Sequence, residues 1–228
     1  MDTSRESRPA SRRGLSARVL GDVRTVWRLA QRARAARAHG DPLGGFRVGP
    51  GPPPLELRAR LRAYLNAAIS EAPLQRFLEQ NPLVLVRYLA GGTRWVIPGL
   101  RLGSRFTPDF VIGEQHASRS RWTLVELESP SVRLFTRSGD ATRALLHATS
   151  RIRGWRDWLH DHSRYAREHL NLAHVGGDAQ GVILIGARGS APRTQRQRQL
   201  ETEHKVAIHT YDWLVDGAPE TQTRPRGR

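Results

Sequence analysis

Apolar residues recur along this chain with two different periods, and the switches between them mark out its elements. In "LELRARLRAYLNAAIS", residues 55–70, Leu57, Leu61, Tyr64, Leu65 and Ala68 fall mostly three or four apart, the spacing of one helical face. "EAPLQRFLEQ" predicts a second helix, with Ser70 as its N-cap, Pro73 tolerated in the first turn and a stop at Asn81-Pro82. The period then shortens. "TRWVIPGLRLG" (93–103), "FTPDFVIGE" (106–114) and "RWTLVELE" (121–128) read as strands, separated by turn-rich or polar segments that suit hairpins. Helical spacing returns from Ala141 to about Leu170, with Leu145, Ala148, Ile152, Trp155 and Leu159 as the buried stripe. "GVILIGAR" (181–188) is apolar almost throughout, the pattern of a fully buried strand. A polar helix over 192–203 leads to "KVAIHTYDWL", a last strand and a short end turn.

This order of helices and strands predicts an α/β domain with a mixed central sheet over residues 55–216. No internal repeat is evident. The flanks read differently. Residues 1–15 are Arg, Ser and Pro with almost nothing to bury, and are expected to be disordered. From Ala17 to about His39, Leu20, Val23, Trp27 and Ala30 form one stripe of a basic amphipathic helix. Its role stays open between packing on the domain or a neighbouring chain, nucleic-acid contact and membrane-surface binding. "GDPLGGFRVGPGPPP" (40–54) reads as a Gly/Pro linker, which makes residues 1–54 a basic arm ahead of the domain. Residues 217–228 read as a frayed basic tail.

Composition narrows the function classes. The chain has no cysteine, which excludes disulfides, thiolate metal ligation and a cysteine nucleophile. No apolar run is long enough to span a bilayer and the N-terminus has no signal-like core, so a cytoplasmic protein is expected. A formal charge of +16 points to a polyanionic partner. Lys205 is the only lysine, so arginine-rich coding accounts for part of that excess. The charge is also uneven: residues 1–40 hold ten arginines against Asp2, Glu6 and Asp22, a net of +7.

The stretch "TLVELESP" (123–130) carries the candidate chemistry. Side chains alternate along a strand, so Glu126 and Glu128 share one face while Val125 and Leu127 take the other. A hairpin with "FTPDFVIGE" brings Asp109 beside them. Like charges in a half-buried site repel and are poorly solvated, and a divalent ion resolves that conflict. Oxygen ligands without cysteine suit Mg²⁺ or Mn²⁺. Spacing alone leaves a second reading level with this one, in which the acids are solvated and structural.

"PDF" (108–110) followed by "VELESP" (125–130) resembles the PD-(D/E)XK nuclease signature, in which acids of two adjacent strands hold a catalytic metal. "LQRFLEQNPLVL" (74–85), "GWRDWL" (154–159), "GVILIGAR" (181–188) and "HTYDWL" (209–214) are similar, in the same order, to the Shedu nuclease domain of anti-phage defence systems. The resemblance spans roughly residues 56–216. It implies a restriction-endonuclease-like fold, DNA as substrate and a homo-oligomer; no membrane partner is expected, because no apolar run is long enough to span a bilayer. It also implies Asp109 and Glu126 as metal ligands with the main-chain carbonyl of Leu127, and Glu71 as an acid approaching the same ion. Glu128 stands where the family pattern has lysine. A glutamate there can take a proton from water or bind a second metal. Arg151 stands near a position commonly held by glutamine, where it is expected to contact the scissile phosphate or pair with Glu128. Arg105, Arg121 and Arg151 are expected to turn the local sign positive for DNA. The implied activity is Mg²⁺-dependent endodeoxyribonuclease; the alternative is an inactive nuclease-like module that binds nucleic acid or a protein partner.

Other polar residues read as structural. His160 and His162 face different ways on a helix. His147 lies one turn before Arg151, where it could face the site, with a satisfied helix histidine as the favoured reading. His209 and Asp212 read as sheet-end groups, Trp155 and Trp158 as core. "GARGSAP" has no GKS/T and no serine sits in G-x-S-x-G, so neither NTP hydrolysis nor a serine nucleophile is supported.

Overall fold

The computed structural model describes residues 41–67, 70–87, 92–187 and 195–216. The basic helix expected over 17–39 and the tail from 217 lie outside the described residues. The described part is a six-stranded mixed sheet in the order β1-β2-β3-β4-β5-β6. Its strands are β1 (Arg47–Val48), β2 (Arg94–Pro98), β3 (Phe110–His116), β4 (Arg119–Leu127), β5 (Gln180–Leu184) and β6 (Val206–His209). The first four pair antiparallel, and β4, β5 and β6 run parallel. The parallel pairs are joined through helices: α3 (Arg143–Asp161) and α4 (Ser163–His169) lie between β4 and β5, and α5 (Gln195–His204) between β5 and β6.

Alternation along each strand feeds two separate cores. Trp95, Ile97, Val111, Trp122, Leu124, Ile183 and Ile208 face the stripe of α3, where Leu145, Ala148, Ile152, Trp155 and Leu159 are all buried. Val96, Phe110, Ile112, Val125, Leu127 and Leu184 face the opposite layer. That layer is built from α1 (Leu55–Ala67), α2 (Glu71–Gln80) and α6 (Asp212–Asp216). The result is helix, sheet, helix, as the strand patterns require of a sheet buried on both faces. Gly113 on β3 is fixed by packing: a Cβ there would sit 2.7 Å from the Trp122 ring and 2.9 Å from that of Trp95, which stack across it.

Several elements differ from the expectations above. The segment read as a linker contains β1, which pairs Arg47 with Trp95 and Val48 with Arg94, while Phe46 and Leu43 pack into the α3-side core. Burial of these two apolar side chains overrides a Gly/Pro-rich composition. The hairpin between β3 and β4 is tighter than expected: the strands run on through "EQH" and "RSR", and His116 pairs with Arg119. Ala117 in the turn takes φ 48°, the left-handed region. The single long helix is two. His162 interrupts it with φ −118°, and its ring Nδ1 lies 3.0 Å from the Trp158 carbonyl while stacking on the Trp158 indole. No helix among the described residues is long and apolar enough to cross a membrane.

Candidate active site

The acids gather where β4 ends and β3 begins. Phe110 pairs with Val125, so one further step of the same antiparallel register sets Asp109 opposite Glu126. Asp109 lies just outside β3, and its Oδ2 accepts a 2.8 Å hydrogen bond from the Leu127 main-chain N–H, taking the place of a ladder carbonyl. Its own carbonyl accepts from Gly99 N–H at 2.9 Å, which ties the residue to the end of β2. Glu126 and Glu128 both turn toward α3, as alternation requires, while Val125 and Leu127 enter the other core.

Glu126 is 0% exposed, and the cation nearest it is Arg151, whose Nη1 donates to Oε1. Oε2 meets no donor among the described residues. The carboxyl of Asp109 lies within hydrogen-bonding reach of Glu126, so two groups that are acceptors when ionised face each other. Burial pushes the Glu126 pKa up to about 10, Asp109 adds to the rise, and the guanidinium of Arg151 only partly opposes it. A carboxyl pair of this kind is held together by a shared proton or by a cation.

The rim is built by neighbouring elements. Glu128 faces His147, one helical turn before Arg151, with Nδ1 3.8 Å from Oε1. Arg151 Nη2 also reaches the Thr107 carbonyl at 3.4 Å, and its guanidinium carbon lies 5.3 Å from the centre of the Trp155 ring. Tyr211, 0% exposed between β6 and α6, donates from its hydroxyl to the Glu128 main-chain carbonyl at 2.8 Å. Burial, followed by Glu71, Asp109, Glu128 and Glu126, holds the phenol well above its ordinary range, so it stays a donor. Glu71, at the N-terminus of α2, thus acts on Tyr211 from the layer opposite α3, whereas the charges acting on Glu126 are Asp109, Arg151 and Glu128.

The structure therefore brings Asp109, Glu126, Glu128 and Arg151 together, and Glu71 adds its charge at Tyr211, beside the same strand end. Arg151 pairs with Glu126, not with Glu128. His147, for which the sequence left open a place facing the site, faces Glu128. Arg105 is exposed on the β2–β3 connection, its guanidinium 5.3 Å from the Phe106 ring centre. Arg121 is not beside the acids: it pairs with Glu114 near the start of β4, and an odd number of residues from Glu126 puts it on the other face. Tyr211 was the neighbour of the acids that spacing did not mark, although an apolar strand followed by T-Y-D signals a sheet end with a hydroxyl to place.

Among the described residues no group of three or more His, Cys, Asp and Glu side chains is arranged to hold a metal. The Asp109–Glu126 pair meets a smaller requirement, since Mg²⁺ commonly takes one or two protein carboxylates and fills its other positions with water and phosphate oxygens. The unserved, buried Glu126 Oε2 is the donor atom such an ion would use.

Residues 68–215 match the family described as Shedu protein SduA, C-terminal. No curated protein matches the chain. Among solved structures it is similar to the restriction endonuclease FokI bound to DNA, with a TM-score of 0.43 and 14% identity over 74% of this chain and 30% of that one.

Proposed function

The chain belongs to the Shedu protein SduA C-terminal family, and from that premise we propose that it is a metal-dependent DNA endonuclease acting in anti-phage defence. The observation that carries this reading is the buried contact between the carboxyls of Asp109 and Glu126 beside an unserved Glu126 oxygen. Asp109, Glu126 and the Leu127 carbonyl would hold Mg²⁺ or Mn²⁺, with Glu71 as a further acid approaching the same ion. The ion supplies a water of lowered pKa and charge stabilisation at the phosphate when bound.

The chain's own groups do the rest. The Leu127 N–H aims the Asp109 carboxylate. The Tyr211 hydroxyl pins the main chain of Glu128, and with it the end of β4. Glu128 takes the proton of the attacking water, and His147, 3.8 Å away, passes it to solvent. Arg151 and the exposed Arg105 offset the acids toward a phosphate backbone.

The test is cleavage of supercoiled and linear DNA with Mg²⁺, Mn²⁺ or EDTA, using Asp109→Ala and Glu126→Ala as controls. Metal-dependent cleavage lost in both variants is the expected result. A second reading, an inactive nuclease-like module that binds DNA, is favoured by the fact that Glu126 already carries a cationic partner. Salt-dependent DNA binding without cleavage under any metal would establish it.

A further inference from the structure

We propose that Arg151 holds the cation position of the acid pair in the free protein and surrenders it on DNA binding, its guanidinium passing from Glu126 to the scissile phosphate as the divalent ion enters. This rests on the nuclease reading above and makes Arg151 a positioning residue for both metal and substrate.

Burial separates the two partners. The Glu126 side chain is 0% exposed and cannot leave, whereas the Arg151 side chain is 32% exposed and has a route to solvent. The pair is also incomplete. Guanidinium and carboxylate make their strongest contact as a two-pronged fork. Here one nitrogen reaches Oε1, the second turns away to the Thr107 carbonyl at 3.4 Å, and Oε2 is left without a donor. The remaining tether is the Trp155 ring at 5.3 Å. A phosphodiester offers the fork both of its free oxygens, so the exchange replaces one-handed pairing with a two-handed one.

Charge then links the two events. A guanidinium and a divalent cation on the same carboxylate repel each other, so the ion binds more tightly once Arg151 has left. DNA, by drawing Arg151 away, raises the affinity for metal, and metal raises the affinity for DNA by the same factor. The site is thereby kept weak in metal until a duplex is present.

The experiment measures Mn²⁺ affinity by electron paramagnetic resonance on the full chain, with and without a short duplex made uncleavable by phosphorothioate linkages. Without DNA, Arg151→Gln is expected to bind Mn²⁺ tighter than the wild type by about 5- to 150-fold, the usual range of coupling between two ligands. Duplex is expected to tighten Mn²⁺ in the wild type by a comparable factor and in the variant far less. Added guanidinium ion at non-denaturing concentration should weaken Mn²⁺ binding to the variant only. Equal Mn²⁺ affinities without DNA, or equal effects of duplex on the two proteins, overturn the inference while leaving the nuclease reading in place. Absence of Mn²⁺ binding in wild type and variant alike overturns both. Should Arg151→Gln fail to fold, Arg151→Met, which keeps the aliphatic stem and loses the charge, carries the same comparisons.

Discussion

The hydroxyl of Tyr211, at the end of β6, is hydrogen-bonded at 2.8 Å to the main-chain carbonyl of Glu128, at the end of β4, across the intervening strand β5. Two parallel strands are thus locked at their carboxyl ends, where open α/β sheets place their sites. The phenol is surrounded by acids and cannot ionise in the ordinary range, so the bond persists across neutral pH.

Tyr211→Phe removes one donor and keeps the ring's packing. Loss of the bond costs about 1 kcal/mol, which lowers Tm by about 2–4 °C in a chain of this size. Thermal unfolding by circular dichroism checks the stability. Metal-dependent cleavage should fall further than stability alone explains, because the bond sets the position of Glu128. Wild-type cleavage in a variant with the expected Tm loss would show that the tyrosine is structural only.

Glu126 gives the metal-free protein a pH dependence whose direction is fixed by its raised pKa. The folded value, about 10, lies above the ordinary 4.5, so between these limits the folded chain holds a proton that the unfolded chain releases. Stability from this group is complete at the acid end and is lost as pH rises through the window. Urea unfolding in EDTA at several pH values should show wild-type stability falling relative to Glu126→Gln as the solution becomes more basic. Mn²⁺ should reverse the trend, since it replaces the proton between the two carboxyls. Parallel pH curves for wild type and variant would mean that Arg151 keeps Glu126 ionised.

How much of this was legible in the sequence depends on what each pattern encodes. Alternation in residues 123–128 specifies which acids share a face, because the strand period is fixed. A hairpin then brings Asp109 opposite Glu126 with only a register to settle, and the stripe of α3 is specified by its spacing in the same way. What alternation does not encode is which helix residue lies over which strand residue. Arg151 on Glu126, His147 beside Glu128 and Tyr211 beneath Glu128 all depend on how α3 and β6 settle on the sheet. The strand at Arg47–Val48 was hidden for a related reason: a two-residue edge strand has no period, and its existence rests on Phe46 and Leu43 finding the core. Arg121 was misplaced because its arginine chemistry was read without its parity along β4.

The β6 edge is guarded by α5 rather than by another strand. Glu201 accepts from the Ile208 N–H at 3.0 Å, and Gln197 donates to the Ile208 carbonyl at 2.8 Å, so two buried side chains imitate the missing neighbour. Replacing both by alanine leaves a buried donor and acceptor unserved. The expected cost is about 2–4 kcal/mol, with a gain in self-association through the freed edge. Denaturant unfolding and light scattering check the two effects. Stability unchanged from wild type would show that water or the neighbouring backbone serves Ile208 equally well.

In the proposed nuclease, Glu128 stands where an active enzyme and a silent one would differ, and two substitutions separate the roles proposed for it. As the acceptor of a proton from water it contributes about 10²- to 10⁴-fold to cleavage, so Glu128→Gln should lose that factor while Mn²⁺ and DNA affinity stay near wild type. As a ligand of a second ion it would instead lose Mn²⁺ stoichiometry with the rate. His147→Ala distinguishes a relay from a bystander. The imidazole is 64% exposed and lies 3.8 Å from the carboxylate, within reach through a small movement of either side chain. In a relay, removing it slows cleavage, and added imidazole buffer restores the rate. A loss that imidazole does not rescue would assign His147 to phosphate binding and leave Glu128 to release its proton directly to solvent.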